Sequence, residues 1–114
     1  MNIFVYGSLK KGKSRNCFLE KQVFVKEIST KPIYRLYNLG MFPAMVEDVN
    51  GISIKGELWE VDDECLKFLD LIEAHPLLFH RKRVDLNEEI DAQAYLFPHP
   101  INITKYVDCG ESWQ

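Results

Sequence analysis

One amphipathic helix pattern stands alone in a chain of short β-type runs, and that contrast restricts the fold more than any other feature. Cys65, Phe68, Leu69 and Ile72 recur at helical spacing. Asp62 precedes them as an N-cap, and Asp63 and Glu64 suit the positive end of the helix dipole. Pro76 stops the pattern. Elsewhere the chain offers β-rich runs at 2–6, 22–28, 33–38, 52–61, 79–86 and 92–97, broken by glycine, proline and acidic turns. A short helix is predicted from a Ser14 cap to about Glu20, 40–43 is a break, and the tail 101–114, with Tyr106 and Trp113, is expected to pack back onto the body. Short strands with one or two helices favour a small α+β domain, a mixed β-barrel with a few packed helices, over a doubly wound sheet. A length of 114 residues fits a single domain spanning 1–114.

Charge and cysteine usage narrow the function classes. A formal net charge of −3 and the lack of a long basic stripe argue against a nucleic-acid partner. Lys10, Lys11, Lys13 and Arg15 form the densest basic patch, read as a solvated loop. No apolar run approaches a membrane span, and the first residues do not read as a signal peptide. Three widely spaced cysteines form neither a disulfide framework nor a zinc site, which places the chain in a reducing cytosol. His75, His80 and His99 lack metal-ligand spacing, so no metal or cofactor is expected.

Residues 7–14 read Gly-Ser-Leu-Lys-Lys-Gly-Lys-Ser and satisfy the phosphate-loop pattern. In that alternative, backbone amides surround a nucleotide's phosphates, Lys13 meets the outer ones and Ser14 meets magnesium. The short following helix, and the absence of an apolar strand ending in a clean metal-holding aspartate, argue against it.

The same loop gains a second meaning from the rest of the chain. Phe4-Val5-Tyr6-Gly7-Ser8-Leu9-Lys10-Lys11-Gly12, followed by Asn16, resembles the opening of the γ-glutamylcyclotransferase-like family. Phe42-Pro43-Ala44-Met45-Val46, Gly56-Glu57-Leu58-Trp59-Glu60-Val61-Asp62, Leu69-Asp70-Leu71-Ile72-Glu73, Phe79-His80-Arg81 and Ala94-Tyr95 extend the resemblance in the family's order. The segment from Glu73 through Phe79 is similar to the γ-glutamylamine cyclotransferase branch, and Cys109 to Trp113 to small microbial members.

The resemblance implies a mixed β-barrel with packed helices and a cofactor-free release of 5-oxoproline from a small γ-glutamyl compound. It implies Glu73 as the catalytic carboxylate, and Tyr6, Gly7, Ser8 and Leu9 as substrate-binding residues acting largely through backbone groups. Where the family has tyrosine, this chain has Phe79, so a substrate-orienting hydroxyl is missing. A γ-glutamyl-binding module with little turnover is therefore a further alternative.

The residues by themselves support part of this. An α-amine attacking its own γ-carbonyl needs a base, and a carboxylate can take that proton and return it to the departing amine. Glu73 sits at the carboxyl end of its helix pattern, where partial burial and the dipole both disfavour its charge. Taken alone, Tyr6 reads as a packed strand residue, Arg81 as an ion-pair partner, and Phe42 and Trp59 as core. A cationic leaving amine would meet the tail acids Asp108 and Glu111, if the tail borders the pocket.

Overall fold

The computed structural model describes residues 1–98 and 106–113. Two sheets and one α-helix form the body. The first sheet contains β1 (Asn2–Val5), β2 (Val23–Ser29), β5 (Lys55–Glu60), β6 (His80–Arg83) and β7 (Gln93–Leu96), in the order β2-β5-β1-β7-β6. β1 pairs antiparallel with β5 and parallel with β7. The second sheet contains β3 (Tyr34–Asn38), β4 (Pro43–Glu47) and β8 (Val107–Asp108), in the order β4-β3-β8. The helix, α1, spans Asp63–Ile72.

Period-two alternation explains why β1 lies at the centre. Ile3 and Val5 face one hydrophobic cluster, which Cys65 and Leu69 of α1 cover. Phe4 and Tyr6 face the other, which Tyr34, Leu36 and Met45 of the second sheet cover. Both faces are buried, so β1 and the turn that follows it have little freedom. The class is α+β as expected. The expected barrel is not closed, because the strands of the described residues stay in two separate sheets. The sheets meet where the Phe97 amide donates to the Met45 carbonyl, at 2.9 Å.

Three local expectations are corrected. β4 was not foreseen, because Pro43, Ala44, Met45 and Val46 are all buried and carry no alternation to read. The segment after Ser14 forms a four-residue 3₁₀ turn, Asn16–Leu19, with Arg15 at its cap position and no side-chain cap. The strand read as 52–61 begins at Lys55, and Ile52 makes only an isolated bridge to Tyr34. The tail does pack back: β8 pairs with β3, and the Lys55 amide donates to the Glu111 carbonyl at 2.7 Å. Residues 99–105 and 114, which include His99, lie outside the described residues.

α1 begins as the sequence predicts. The Asp62 carboxylate accepts the Cys65 amide at 2.7 Å, and two acids follow in the first turn. Cys65 and Leu69 are buried, whereas Phe68 turns outward and packs edge-on against Phe18, with ring centroids 5.1 Å apart. The helix ends before Pro76, since Ala74 takes a left-handed φ of 51° just after Glu73. Leu69 is 0% exposed and clamps α1 to the sheet. Leu69→Ala is expected to lower the unfolding free energy by about 2–5 kcal/mol. Urea melts check this, and a loss under about 1 kcal/mol would mean that α1 is held by other contacts.

Candidate active site

The turn after β1 and the end of α1 meet across one cavity of about 230 Å³. Tyr6, Gly7, Ser8, Leu9 and Glu73, the five residues singled out in the sequence, all contribute to its wall. Loop and glutamate are far apart in sequence, and burial of both faces of β1 together with the clamping of α1 brings them to one cavity.

Gly7 has a specific steric reason. A Cβ there would stand 2.7 Å from Cγ and 2.9 Å from Cδ of Pro43, so the turn passes directly over the start of β4. The tight fit against Pro43 is a structural reason for this glycine, beside the backbone contact with substrate that the resemblance implies. The chain then turns, with the Lys10 amide donating to the Gly7 carbonyl at 3.1 Å. Asn16 braces the loop by donating to the Leu9 carbonyl at 2.8 Å. Among the described residues, no carbonyl or side chain accepts from the amides of Gly7, Ser8 or Leu9.

Two later amides of the loop are committed. Lys11 donates to the Glu57 carboxylate at 2.9 Å, and Lys13 to the Lys10 carbonyl at 3.0 Å. A nest around a polyphosphate needs those amides. The loop also leads into a 3₁₀ turn instead of a helix N-terminus. The phosphate-loop pattern is therefore present in sequence without the full set of free amides, or the following helix, that it calls for.

Tyr6 is a structural tie. Its hydroxyl donates to the Tyr95 carbonyl at 2.6 Å and accepts the Met45 amide at 3.3 Å, joining β1 to β7 and β4. Burial, and secondarily the charge of Glu73, raises its pKa, so it stays a neutral phenol. Only its ring and backbone are left for the cavity.

Glu73 caps α1. Its amide donates to the Leu69 carbonyl at 2.9 Å, and its carbonyl accepts from Phe79 at 3.3 Å. The backbone is thus held from both sides. Among the described residues, no group hydrogen-bonds its carboxylate. Burial raises its pKa, and the positive charge of Arg15 opposes part of that rise.

A polar support lies behind this wall. Tyr95 lines the cavity and donates its hydroxyl to Asp70 Oδ1 at 2.7 Å. Arg81 Nε donates to the same oxygen at 2.8 Å. Burial pushes the Asp70 carboxyl up, but hydrogen bonds from Arg81 and Tyr95 outweigh it and hold the group below its ordinary value. Burial, then the bond to Asp70, raises the Tyr95 pKa. Arg81 thus makes the ion pair expected of it. Phe79 is 3% exposed and packs edge-on between Phe42 and Phe97, at 5.8 and 5.5 Å, in an apolar wall.

Two residues escaped the sequence reading. Arg15, taken as part of a solvated basic patch, is half-buried and lines the cavity. Tyr95 belonged to a matching dipeptide but gave no sign of its partner Asp70. One expectation fails outright. Asp108 pairs with Arg35 at 3.5 Å and Glu111 with Lys55 at 3.0 Å, and neither lines the cavity. The tail therefore supplies no acid to a leaving group there.

Two substitutions test this geometry by stability alone. Tyr6→Phe strands the Tyr95 carbonyl and the Met45 amide, and is expected to cost about 1–3 kcal/mol. Glu73 carries the opposite sign at neutral pH. A carboxyl whose folded pKa is raised contributes fully below its unfolded value of ~4.3, and that contribution is lost as pH rises through the folded value. Glu73→Gln is therefore expected to melt above the parent protein at pH 8, with the gap closing toward pH 4. Equal melting temperatures at pH 8 would contradict the burial assigned to this carboxylate.

Comparison with known proteins agrees in sequence and in fold. The sequence profile described as gamma-glutamyl cyclotransferase, AIG2-like, matches residues 3–114. A Methanocaldococcus jannaschii protein, provisionally named gamma-glutamylcyclotransferase, is 37% identical over 106 residues, covering 89% of this chain and 88% of its own. Gamma-glutamylaminecyclotransferase A of Danio rerio is 33% identical over 94 residues, covering 75% of this chain and 58% of its own. In fold, the crystal structure of an AIG2-like protein from Mus musculus superposes with a TM-score of 0.84 at 23% identity, covering 99% of this chain and 87% of that one.

Proposed function

The chain belongs to the gamma-glutamyl cyclotransferase, AIG2-like family, and from that premise we propose that it releases 5-oxoproline and a free amine from a γ-glutamyl compound, with Glu73 as general acid and base. The observation that carries this reading is that Glu73 and the loop residues Gly7, Ser8 and Leu9, whose amides are uncommitted, line one small cavity. Its raised pKa makes Glu73 a stronger base than an exposed glutamate.

The steps follow from that arrangement. Glu73 takes a proton from the α-amine of the substrate. The amine nitrogen attacks the γ-carbonyl carbon, and the carbonyl electron pair moves onto oxygen. Amides of the loop stabilise that oxyanion. Collapse of the intermediate breaks the bond to the leaving amine, which takes that proton from Glu73; the second proton of the ring nitrogen passes through Glu73 to the freed amine, which departs as an ammonium. Ring closure is intramolecular, so holding the γ-glutamyl chain folded removes most of the entropic barrier.

The substrate is proposed to be a γ-glutamyl group on a primary amine. A volume of about 230 Å³ falls below the roughly 300–1,000 Å³ of usual small-molecule pockets. That suits a γ-glutamyl head, with the leaving amine directed to the opening. Similarity to the Danio rerio protein named for γ-glutamylamines supports the same choice. The tail acids contribute nothing to it, since both are paired elsewhere.

Phe79 motivates the second reading, a γ-glutamyl-binding module with little turnover. Its ring fills an apolar wall and brings no hydroxyl to the cavity. One assay separates the two. Purified protein is expected to release 5-oxoproline from γ-glutamyl-ε-lysine, and Glu73→Gln to lower the rate by ~10²–10⁴-fold with the fold intact. Undiminished release by Glu73→Gln would assign the proton transfer to another group. Binding of the substrate without release by the parent protein would favour the module.

A further inference from the structure

Arg15 has no role in the steps above, yet its setting is unlike that of the other arginines. Arg35 pairs with Asp108 at 3.5 Å, Arg81 with Asp70 at 2.8 Å, and Arg83 with Asp85 at 3.7 Å. Among the described residues, Arg15 makes no ion pair or side-chain hydrogen bond. Its backbone is fixed to the binding loop, since its amide donates to the Ser8 carbonyl at 2.9 Å. Arg15 and Glu73 are the only charged side chains on the cavity wall among the described residues. They interact through space without closing into an ion pair, so opposite charges border the same small volume.

We propose that Arg15 is a substrate-binding, specificity-determining residue of this cavity, its guanidinium taking a carboxylate of the substrate. The proposal rests on the cyclotransferase reading and extends it. A γ-glutamyl head is a zwitterion at neutral pH, with ammonium and carboxylate on the same carbon. Glu73 must approach the ammonium to take its proton. A cation on the same wall then matches the carboxylate beside it, and a guanidinium can grip that group through two parallel hydrogen bonds. The loop amides are left for the γ-carbonyl oxygen. The leaving amine is a second possible source of the carboxylate, when it is itself an amino acid.

Calorimetric titration of the intact protein with 5-oxoproline, and with 2-pyrrolidinone, which has the same ring without the carboxylate, tests this without turnover. Arg15→Ala is expected to weaken 5-oxoproline roughly ten- to hundredfold, Arg15→Lys to restore part of the loss, and 2-pyrrolidinone to be unaffected. KM values for γ-glutamyl-alanine and γ-glutamyl-ethylamine locate the carboxylate. A rise for both places it on the head; a rise for γ-glutamyl-alanine alone, with 5-oxoproline binding unchanged, places it on the leaving amine. The proposal is overturned if 5-oxoproline does not bind the parent protein and Arg15→Ala changes no KM. It is equally overturned if Arg15→Ala shifts only the pH profile of kcat, which would make Arg15 a modulator of Glu73. A parent protein that binds 5-oxoproline through Arg15 yet releases none from any γ-glutamyl compound would sink the cyclotransferase reading and leave this one standing.

Discussion

The hydroxyl of Tyr6 sits where three strands converge, and the geometry of the cavity depends on it. It donates to the Tyr95 carbonyl of β7 and accepts the Met45 amide of β4, while β1, the strand that Tyr6 directly follows, pairs with β5 on the other side. A buried phenol with both donor and acceptor satisfied is stable only when its partners keep their places. The turn at Gly7 begins one residue later, pressed against Pro43. The direction in which Gly7, Ser8 and Leu9 present their amides is therefore set by the sheet and not by the loop. Loops usually vary more than the elements they join; this one follows directly from a strand buried on both faces.

The other wall is held by charge. Asp70 lies one helical turn before Glu73 and anchors both Tyr95 and Arg81. Its carboxyl is kept ionised by those bonds, whereas Glu73, with no such donors, is pushed toward its neutral form by burial. Two carboxylates on one helix face thus take opposite electrostatic characters. The difference follows from partners alone: one is a structural anchor, and the other is left able to exchange a proton.

Much of this was legible in the sequence, and the parts that were not share a cause. Asp62 as N-cap, the helix it starts and the β-rich run 2–6 that ends at Gly7 are local signals, and each matches the structure. The convergence of Glu73 with residues 6–9 came from a resemblance spread along the chain; no local pattern carries it. β4 was missed because a strand buried on both faces shows no alternation. Arg15 was missed because, in a run of basic residues, sequence cannot say which side chain turns inward. Asp108 and Glu111 were set near the pocket on charge alone, and their pairing with Arg35 and Lys55 depends on how the tail lies across β3 and beside β5. The phosphate-loop pattern misled for a related reason. A motif fixes residue types, whereas which amides remain uncommitted is decided by contacts such as Lys11 to Glu57.

The central claim is that a burial-strengthened Glu73 removes the proton from the attacking amine. The pH dependence of kcat/KM for 5-oxoproline release tests it most directly, because that profile reports the ionisation of the free enzyme's essential base. The rate is expected to rise with pH along an acid limb whose midpoint lies above the ordinary glutamate value of ~4.3, as burial of Glu73 requires. An acid limb at or below that value, with release otherwise intact, would contradict the account and return Glu73 to the role of a helix cap.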